Sequence, residues 1–355
     1  MTNIGIIGAG MIANVHAETA KRIGTNVVAV HDPQTERSNI FATKHDCVLE
    51  DSVDALLARG DLDGVVVAVP NDQHATIAIA SLEAGKHVLL EKPMAMSLQQ
   101  CDDILEARDA SGKVLQMGFV CRYSPSAIVA KQLIEDGELG EIHHVQATLL
   151  RQRGIPGLGG WFTTKERSGG GCLIDIGVHL IDVAMHITSK KTPTRVLGKC
   201  TKQFTEQTYA YDDMWSTPIE NGTFDVEDRV RALLTDASGT SFQFDVAWAT
   251  HLPEKTIKDG LFLEGTKGAL VLDLWENEIT LGYAKNGAPK MNTIPITLED
   301  AWNDAFDGEH RSFANAVASG SLDAGAGSGE DGRLVQRVVE AIYESNDANQ
   351  EVAVK

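Results

Sequence analysis

Asp175 and His179 stand four residues apart in Gly169-Gly170-Gly171-Cys172-Leu173-Ile174-Asp175-Ile176-Gly177-Val178-His179-Leu180-Ile181-Asp182. Positions i and i+4 share a helical face, so this otherwise apolar stretch presents a carboxylate beside an imidazole. A neutral imidazole, with a reference pKa of about 6.5, accepts a proton near neutral pH. A neighbouring carboxylate orients the ring or binds a ligand hydroxyl. Lys92 adds a third group, ending the apolar run His87-Val88-Leu89-Leu90 within Glu91-Lys92-Pro93. An ammonium at the end of a buried strand is costly without a partner or a task, and stabilising negative charge that develops on oxygen is such a task. Each feature alone has a plainer reading, a core helix with a satisfied histidine or a salt-bridged surface lysine. Together they point to proton transfer at a ligand hydroxyl.

A nucleotide site stands at the start of the chain. The first apolar run passes into Gly8-Ala9-Gly10-Met11-Ile12-Ala13, a G-x-G-x-x-A turn opening a helix. Gly8 suits the tight turn, Gly10 leaves room for a pyrophosphate, and small Ala13 lets helix and strand pack closely. Met11 and Ile12 begin the helix whose N-terminus faces that group. Asp32 follows 24 residues after Gly8, where a carboxylate binds both ribose hydroxyls and repels a 2′-phosphate. NAD is therefore expected over NADP. Arg37 either reaches a 2′-phosphate or lies exposed without a ligand. The later loop Val69-Pro70-Asn71-Asp72-Gln73-His74 places Pro70, Asn71 and His74 either on the cofactor or, for Asn71 and His74, at a helix cap. Glu91 and Lys92 complete the expected cofactor contacts. No metal site is expected.

The elements that must position these groups follow from periodicity. Strand-like runs at 3–7, 27–30, 64–69, 87–90 and 114–117 alternate with helical patterns at 11–22, 35–44, 73–84 and 97–111. That rhythm predicts an α/β fold with an N-terminal Rossmann doubly wound parallel sheet. Beyond residue 120 a helix is expected at 125–136, a strand at 142–150, a Gly-rich loop at 154–171 and a helix at 172–187. Period-two strands follow, with Phe242, Phe244, Val246 and Trp248 on one face, and helical patterns close the chain at 298–318 and 327–346. This predicts a C-terminal α+β domain with a large, mostly antiparallel sheet. The expected domains are 1–121, binding NAD, and 122–355, binding substrate and forming the oligomer, with a C-terminal helix that can pack back on the first.

The 355 residues include 50 acidic and 31 basic side chains, a formal net charge of −19. Such a field repels nucleic acid and anionic membranes, and no uninterrupted apolar run approaches the roughly 20 residues of a membrane span. The five cysteines form no C-x-x-C pair, and the N-terminus lacks a signal peptide's pattern, so a soluble protein in the reducing cytoplasm is expected.

The turn Gly8–Ala13, the Glu91-Lys92-Pro93 triplet and the Asp175-x-x-x-His179 pair, with Glu264-Gly265-Thr266-Lys267-Gly268 further on, resemble the Gfo/Idh/MocA family of NAD(P)-dependent oxidoreductases. The resemblance implies a Rossmann domain followed by an open-faced sheet that forms subunit contacts, hence a homodimer or homotetramer. It implies that Lys92, Asp175 and His179 are catalytic and that a cis peptide precedes Pro93. Two positions depart from the family pattern, Ala13 in place of a third glycine and Cys172 in a slot for a small residue.

Hydride transfer from a secondary alcohol requires a proton to leave its oxygen. His179 is then the proton acceptor, Asp175 orients it or binds a substrate hydroxyl, and Lys92 stabilises the alkoxide. The expected function is NAD-dependent oxidation of a hydroxyl on a sugar, sugar derivative or inositol-like polyol. The competing expectations are an NAD-dependent glycosidase working by transient oxidation and a non-catalytic NAD-sensing regulator of the same fold. Arg122, Tyr123, Arg153 and Trp161 are candidate substrate contacts beside Asp175 and His179, although an aromatic anchor for the Gly-rich loop is the commoner use of Trp161. Asp182 either supports the same face or is structural, and His251 is expected to be structural.

Overall fold

The computed structural model describes residues 2–157, 159–189, 192–204, 210–212, 219, 222–253, 256, 259–297 and 300–354. They form two compact units, one of Met1–Val120 with Phe306–Gln336, the other of Cys121–Ala305 with Arg337–Lys355.

In the first unit strands and helices alternate as β1 (Asn3–Ile7), α1 (Met11–Ile23), β2 (Asn26–His31), α2 (Thr35–His45), β3 (Val48–Leu49), α3 (Val53–Leu57), β4 (Gly64–Val67), α4 (His74–Glu83), β5 (His87–Glu91), α5 (Leu98–Ser111) and β6 (Leu115–Gly118). The strands pair in parallel in the order β3-β2-β1-β4-β5-β6. Strand order reverses between β1 and β4, the switch point beside which such sheets bind ligands. All four residues of β4, Gly64-Val65-Val66-Val67, are buried, as a strand covered on both faces requires. The strands and long helices lie within a few residues of the ranges read from periodicity. β3 and α3 escape that reading because two and five residues are too short to show a period.

The second unit begins with α6 (Pro125–Glu135), β7 (Ile142–Leu150), β8 (Ile155–Pro156) and α7 (Lys165–Ser168). A π-helical turn over Leu173–Gly177 then opens α8 (Val178–Ile187). The strands β9 (Pro193–Thr201), β10 (Tyr211–Asp212), β11 (Arg229–Asp236), β12 (Ser241–Ala247), β13 (Gly260–Gly265), β14 (Gly268–Leu272), β15 (Glu278–Lys285) and β16 (Ala288–Pro295) follow. The chain closes with α9 (Ala301–Ser319), α10 (Gly329–Ala348) and β17 (Val352–Ala353). Nine strands form one sheet in the order β16-β15-β14-β13-β7-β12-β11-β9-β17. Among the described residues its pairings are antiparallel except that of β7 with β12. Phe242, Phe244, Val246 and Trp248 are all buried, as their period-two spacing predicts. The Gly-rich loop carries short structure, β8 and α7, and its Leu158 lies outside the described residues, as do positions 298–299 of the helical ending.

The stretch Lys165–Ile187 holds an 18-residue window apolar enough to cross a membrane by composition, with a mean hydropathy of 1.4, but 89% of that window is buried in the fold. Its buried part is the π-helical turn and α8 in the core of the second unit. The five cysteines stand as thiols.

Candidate active site

At the nucleotide end, Gly8 has φ +101°, and a Cβ there would lie 2.2 Å from the Ala68 carbonyl oxygen, so only glycine fits. A Cβ on Gly10 would meet nothing within 4 Å, which leaves the open approach a pyrophosphate needs above the start of α1. Met11 and Ile12 are half-buried in the first turn of α1, and Ala13 is fully buried beneath them. Asp32 follows β2 directly. Its Oδ2 accepts the Ala9 N–H at 2.9 Å and its Oδ1 the Gln34 N–H at 2.8 Å. The carboxylate thus clamps the glycine turn to the end of β2. Arg37 brings its Nε within 3.5 Å of Asp32 Oδ2, and Ala9, Gln34 and Arg37 line a cleft of about 260 Å³ beside it. These residues fit the adenosine side of a dinucleotide, with a carboxylate for ribose hydroxyls and an opening beside it.

The loops after β4 and β5 are tied together by His74. Its ring is 1% exposed, with Nδ1 2.6 Å from the Pro93 carbonyl and Nε2 3.0 Å from that of Val69. Neither nitrogen remains open to a cofactor, a departure from the expectation that His74 contacts one. Asn71 is buried at the head of a 3-10 turn, and Pro70, half-buried, precedes it. The Lys92–Pro93 peptide is cis, as the resemblance implies. Glu91 turns inward: its Oε1 lies 2.9 Å from His16 Nε2 and its Oε2 accepts the Lys92 N–H at 3.0 Å. From Val88 to Ala95 every residue is buried except Lys92.

The second unit repeats that signature. From Gly171 to Thr188 every residue is buried except Asp175 and His179, which stand one turn apart. π-helical turns occur often at functional sites, and here Asp175 sits within one. Its Oδ2 accepts the indole N–H of fully buried Trp248 at 2.8 Å. Behind the turn, Glu227 Oε1 accepts the N–H groups of Gly171 at 2.9 Å and Leu173 at 3.1 Å and the Tyr343 hydroxyl at 2.9 Å. Burial raises the Glu227 pKa and, with the nearby Glu227 charge, holds Tyr343 well above its ordinary range. Tyr343 is therefore the donor. Tight packing requires glycine here, since a Cβ on Gly171 would lie 1.8 Å from the Glu227 carbonyl oxygen.

The candidate substrate residues fare unevenly. Arg122 makes a bidentate pair with Asp182, Nε to Oδ2 at 2.8 Å and Nη2 to Oδ1 at 2.5 Å, with side chains 3% and 1% exposed. That pair anchors α8 from within, in place of the substrate contact expected of Arg122. Arg153 donates from Nε to the Tyr211 carbonyl at 2.5 Å, which ties the Gly-rich loop to β10. Trp161 stacks on Phe162 with ring centroids 3.8 Å apart, the anchoring arrangement. Tyr123 remains half-buried. His251 packs its ring against Phe204.

Residues that the sequence reading passed over are Trp248 as a donor, Glu227, Tyr343, His16 and His310. Two had a visible signal. His16 falls at helical spacing with Ala13, Ala17 and Ala20, and His310 with Phe306 and Phe313, so each is a histidine on a buried stripe.

Buried histidines carry a pH consequence. Burial pushes His74 below the usual imidazole range and His310 well below it, where neighbouring His16 adds to the effect. Each therefore binds its proton less readily in the fold than in the unfolded chain. Below about pH 6.5 the unfolded state then binds more protons, so stability falls as pH falls. The expected Tm drops through that window, with a shallower slope in His74→Gln. Calorimetry from about pH 5 to 8 checks it, and a Tm that is flat or rises towards acid would exclude the effect.

Comparison with known proteins adds the following. A family described as "Oxidoreductase family, NAD-binding Rossmann fold" matches residues 2–119, and the "GFO/IDH/MocA C-terminal domain" matches residues 128–271. The chain is 29% identical over 360 residues to the D-glucoside 3-dehydrogenase of Escherichia coli (strain K12), covering 98% of this chain and 96% of the relative. It is 28% identical to the 1,5-anhydro-D-fructose reductase of Ensifer adhaerens over 76% of this chain and 75% of the relative. The structure of levoglucosan dehydrogenase in complex with NADH and levoglucosan superposes with a TM-score of 0.88 at 22% identity, covering 99% of both chains, a likeness of fold.

Proposed function

The chain belongs to the Gfo/Idh/MocA oxidoreductase family, and from that premise we propose that it oxidises a ring hydroxyl of a neutral sugar whose anomeric carbon is blocked, at C3 of a D-glucoside. NAD, held by the turn Gly8–Ala13 and by Asp32, supplies the hydride acceptor. His179 takes the proton from the reacting hydroxyl, Asp175 binds a sugar hydroxyl, and Lys92 stabilises the developing alkoxide. Arg122 is assigned to holding α8.

One observation supports this assignment most directly. Two otherwise sealed segments, Val88–Ala95 and Gly171–Thr188, each open only at groups suited to proton transfer: Lys92 in the first, Asp175 and His179 in the second. A merely structural ion pair has no need of that selective exposure. The substrate class follows the relatives: a D-glucoside is closed by its acetal and a 1,5-anhydro sugar by its ring ether, so neither ring opens. We assign NAD binding to residues 1–121 and substrate binding to 122–355, with a homodimer or homotetramer formed through the nine-stranded sheet in the cytoplasm.

The test is an initial-rate screen of methyl D-glucosides, levoglucosan, myo-inositol and glucose 6-phosphate with NAD and NADP, reading absorbance of the reduced cofactor. The expected result is NADH formation with the glucosides above the other sugars. A preference for glucose 6-phosphate or inositol overturns the substrate class. A preference for NADP overturns the weight placed on Asp32, and free sugar released without net NADH identifies a glycosidase.

A further inference from the structure

Beyond the groups assigned to the reaction, the first unit buries a second set of ionisable side chains that the chemistry above does not use. His16 on α1 is 0% exposed and His310 on α9 is 2% exposed, and Glu91 at the end of β5 is 7% exposed. They form a chain: Glu91 Oε1 to His16 Nε2 at 2.9 Å, and His16 Nδ1 to His310 Nε2 at 2.8 Å. Phe306 closes edge-on over His16 at 5.7 Å between centroids. The other Glu91 oxygen accepts the backbone N–H of Lys92 at 3.0 Å.

We propose that Glu91, locked by His16 and His310, is a positioning residue for Lys92, and that the two histidines serve the reaction through it. The proposal rests on the assignment of Lys92 to the reacting hydroxyl.

Proton order follows from the contacts. Two imidazole nitrogens at hydrogen-bond distance require one donor and one acceptor. His310 Nε2 and His16 Nδ1 thus share one hydrogen, and His16 Nε2–H donates to the Glu91 carboxylate. The second oxygen of that carboxylate grips the peptide next to the Lys92 side chain. Burying a carboxylate and two imidazoles costs free energy that an apolar cluster of the same volume would not. The set offsets this only by orienting what it holds, and what it holds at its open end is Lys92. Hydrogen bonds on both Glu91 oxygens leave that carboxylate no freedom to rotate, so the turn carrying Lys92 is fixed relative to α1 and α9, within one compact unit.

The test uses Glu91→Gln, His310→Leu, His310→Gln and Lys92→Met in the full chain, comparing kcat, sugar KM, NADH dissociation constant and Tm. Glu91→Gln keeps the volume and removes the charge and one acceptor. His310→Leu leaves His16 Nδ1 without its hydrogen-bond partner. Both are expected to lower kcat by about 10- to 100-fold, the scale set by small misplacements of a reacting group, with NADH binding unchanged. His310→Gln, which restores an N–H donor, is expected to recover most of what His310→Leu loses. Wild-type kcat in Glu91→Gln and His310→Leu overturns the proposal. So do losses of kcat matched by weakened NADH binding, with no recovery in His310→Gln, because a purely structural cluster behaves that way. If Lys92→Met retains turnover, the assignment of Lys92 fails and the proposal falls with it. If Lys92→Met is inactive while Glu91→Gln is not, only the positioning role fails.

Discussion

His179→Ala is expected to lower kcat by roughly 10²- to 10⁴-fold, the range general-base assistance supplies, while the NADH dissociation constant stays at its wild-type value. The asymmetry follows from where each group lies. The glycine turn and Asp32 belong to the first unit, and His179 to α8 of the second. The His179 side chain is also one of two in Gly171–Thr188 that are not buried, so removing it leaves no sealed cavity and Tm should move little. Asp175, still held by Trp248 at 2.8 Å, keeps its place, so sugar KM should change far less than kcat. Steady-state kinetics and fluorescence titration with NADH check the split. Equal losses in turnover and cofactor affinity would identify a structural histidine and remove the proton-acceptor role.

Gly171→Ala should damage both stability and turnover. The new methyl would lie 1.8 Å from the Glu227 carbonyl oxygen and 2.9 Å from its carbonyl carbon, and a backbone obstacle cannot rotate aside. The loop must withdraw by more than an ångström. That movement breaks the N–H donations of Gly171 and Leu173 to Glu227 Oε1 and of Cys172 to the Glu227 carbonyl. Overpacking of this kind costs about 1 to 3 kcal/mol, and a displacement near an ångström at a catalytic group costs on the order of 10²-fold in rate. The expected variant has a lower Tm and a kcat reduced on that scale, because the withdrawn loop leads directly into the turn carrying Asp175. Calorimetry and initial rates measure both, and wild-type values for the pair would show that the Gly169–Gly171 loop does not set the position of Asp175.

Local patterns made much of this legible. The Rossmann strands and long helices follow from β-branched runs and 3.6-residue periods, and Gly8, Gly10 and Asp32 follow from the stereochemistry of one turn. Lys92, Asp175 and His179 stood out because each interrupts an apolar run. By type and loop position His74 suits either a cofactor contact or a helix cap, and Arg122 suits a substrate contact. Nothing local reveals that His74 faces the Pro93 and Val69 carbonyls or that Arg122 is paired 60 residues away with Asp182.

Sequence alone determined the alternating parallel sheet, the nucleotide turn and the residue types able to move a proton, since these depend on dihedral preference and spacing within one element. Tertiary structure decided which of those groups stay open and what holds them: Trp248 on Asp175 across 73 residues, Glu227 and Tyr343 behind Gly171, and His310 on His16 across 294. Such partners are chosen by packing between elements distant in the chain, where burial forces every polar atom to find a mate, and no periodicity along the chain encodes which one it finds.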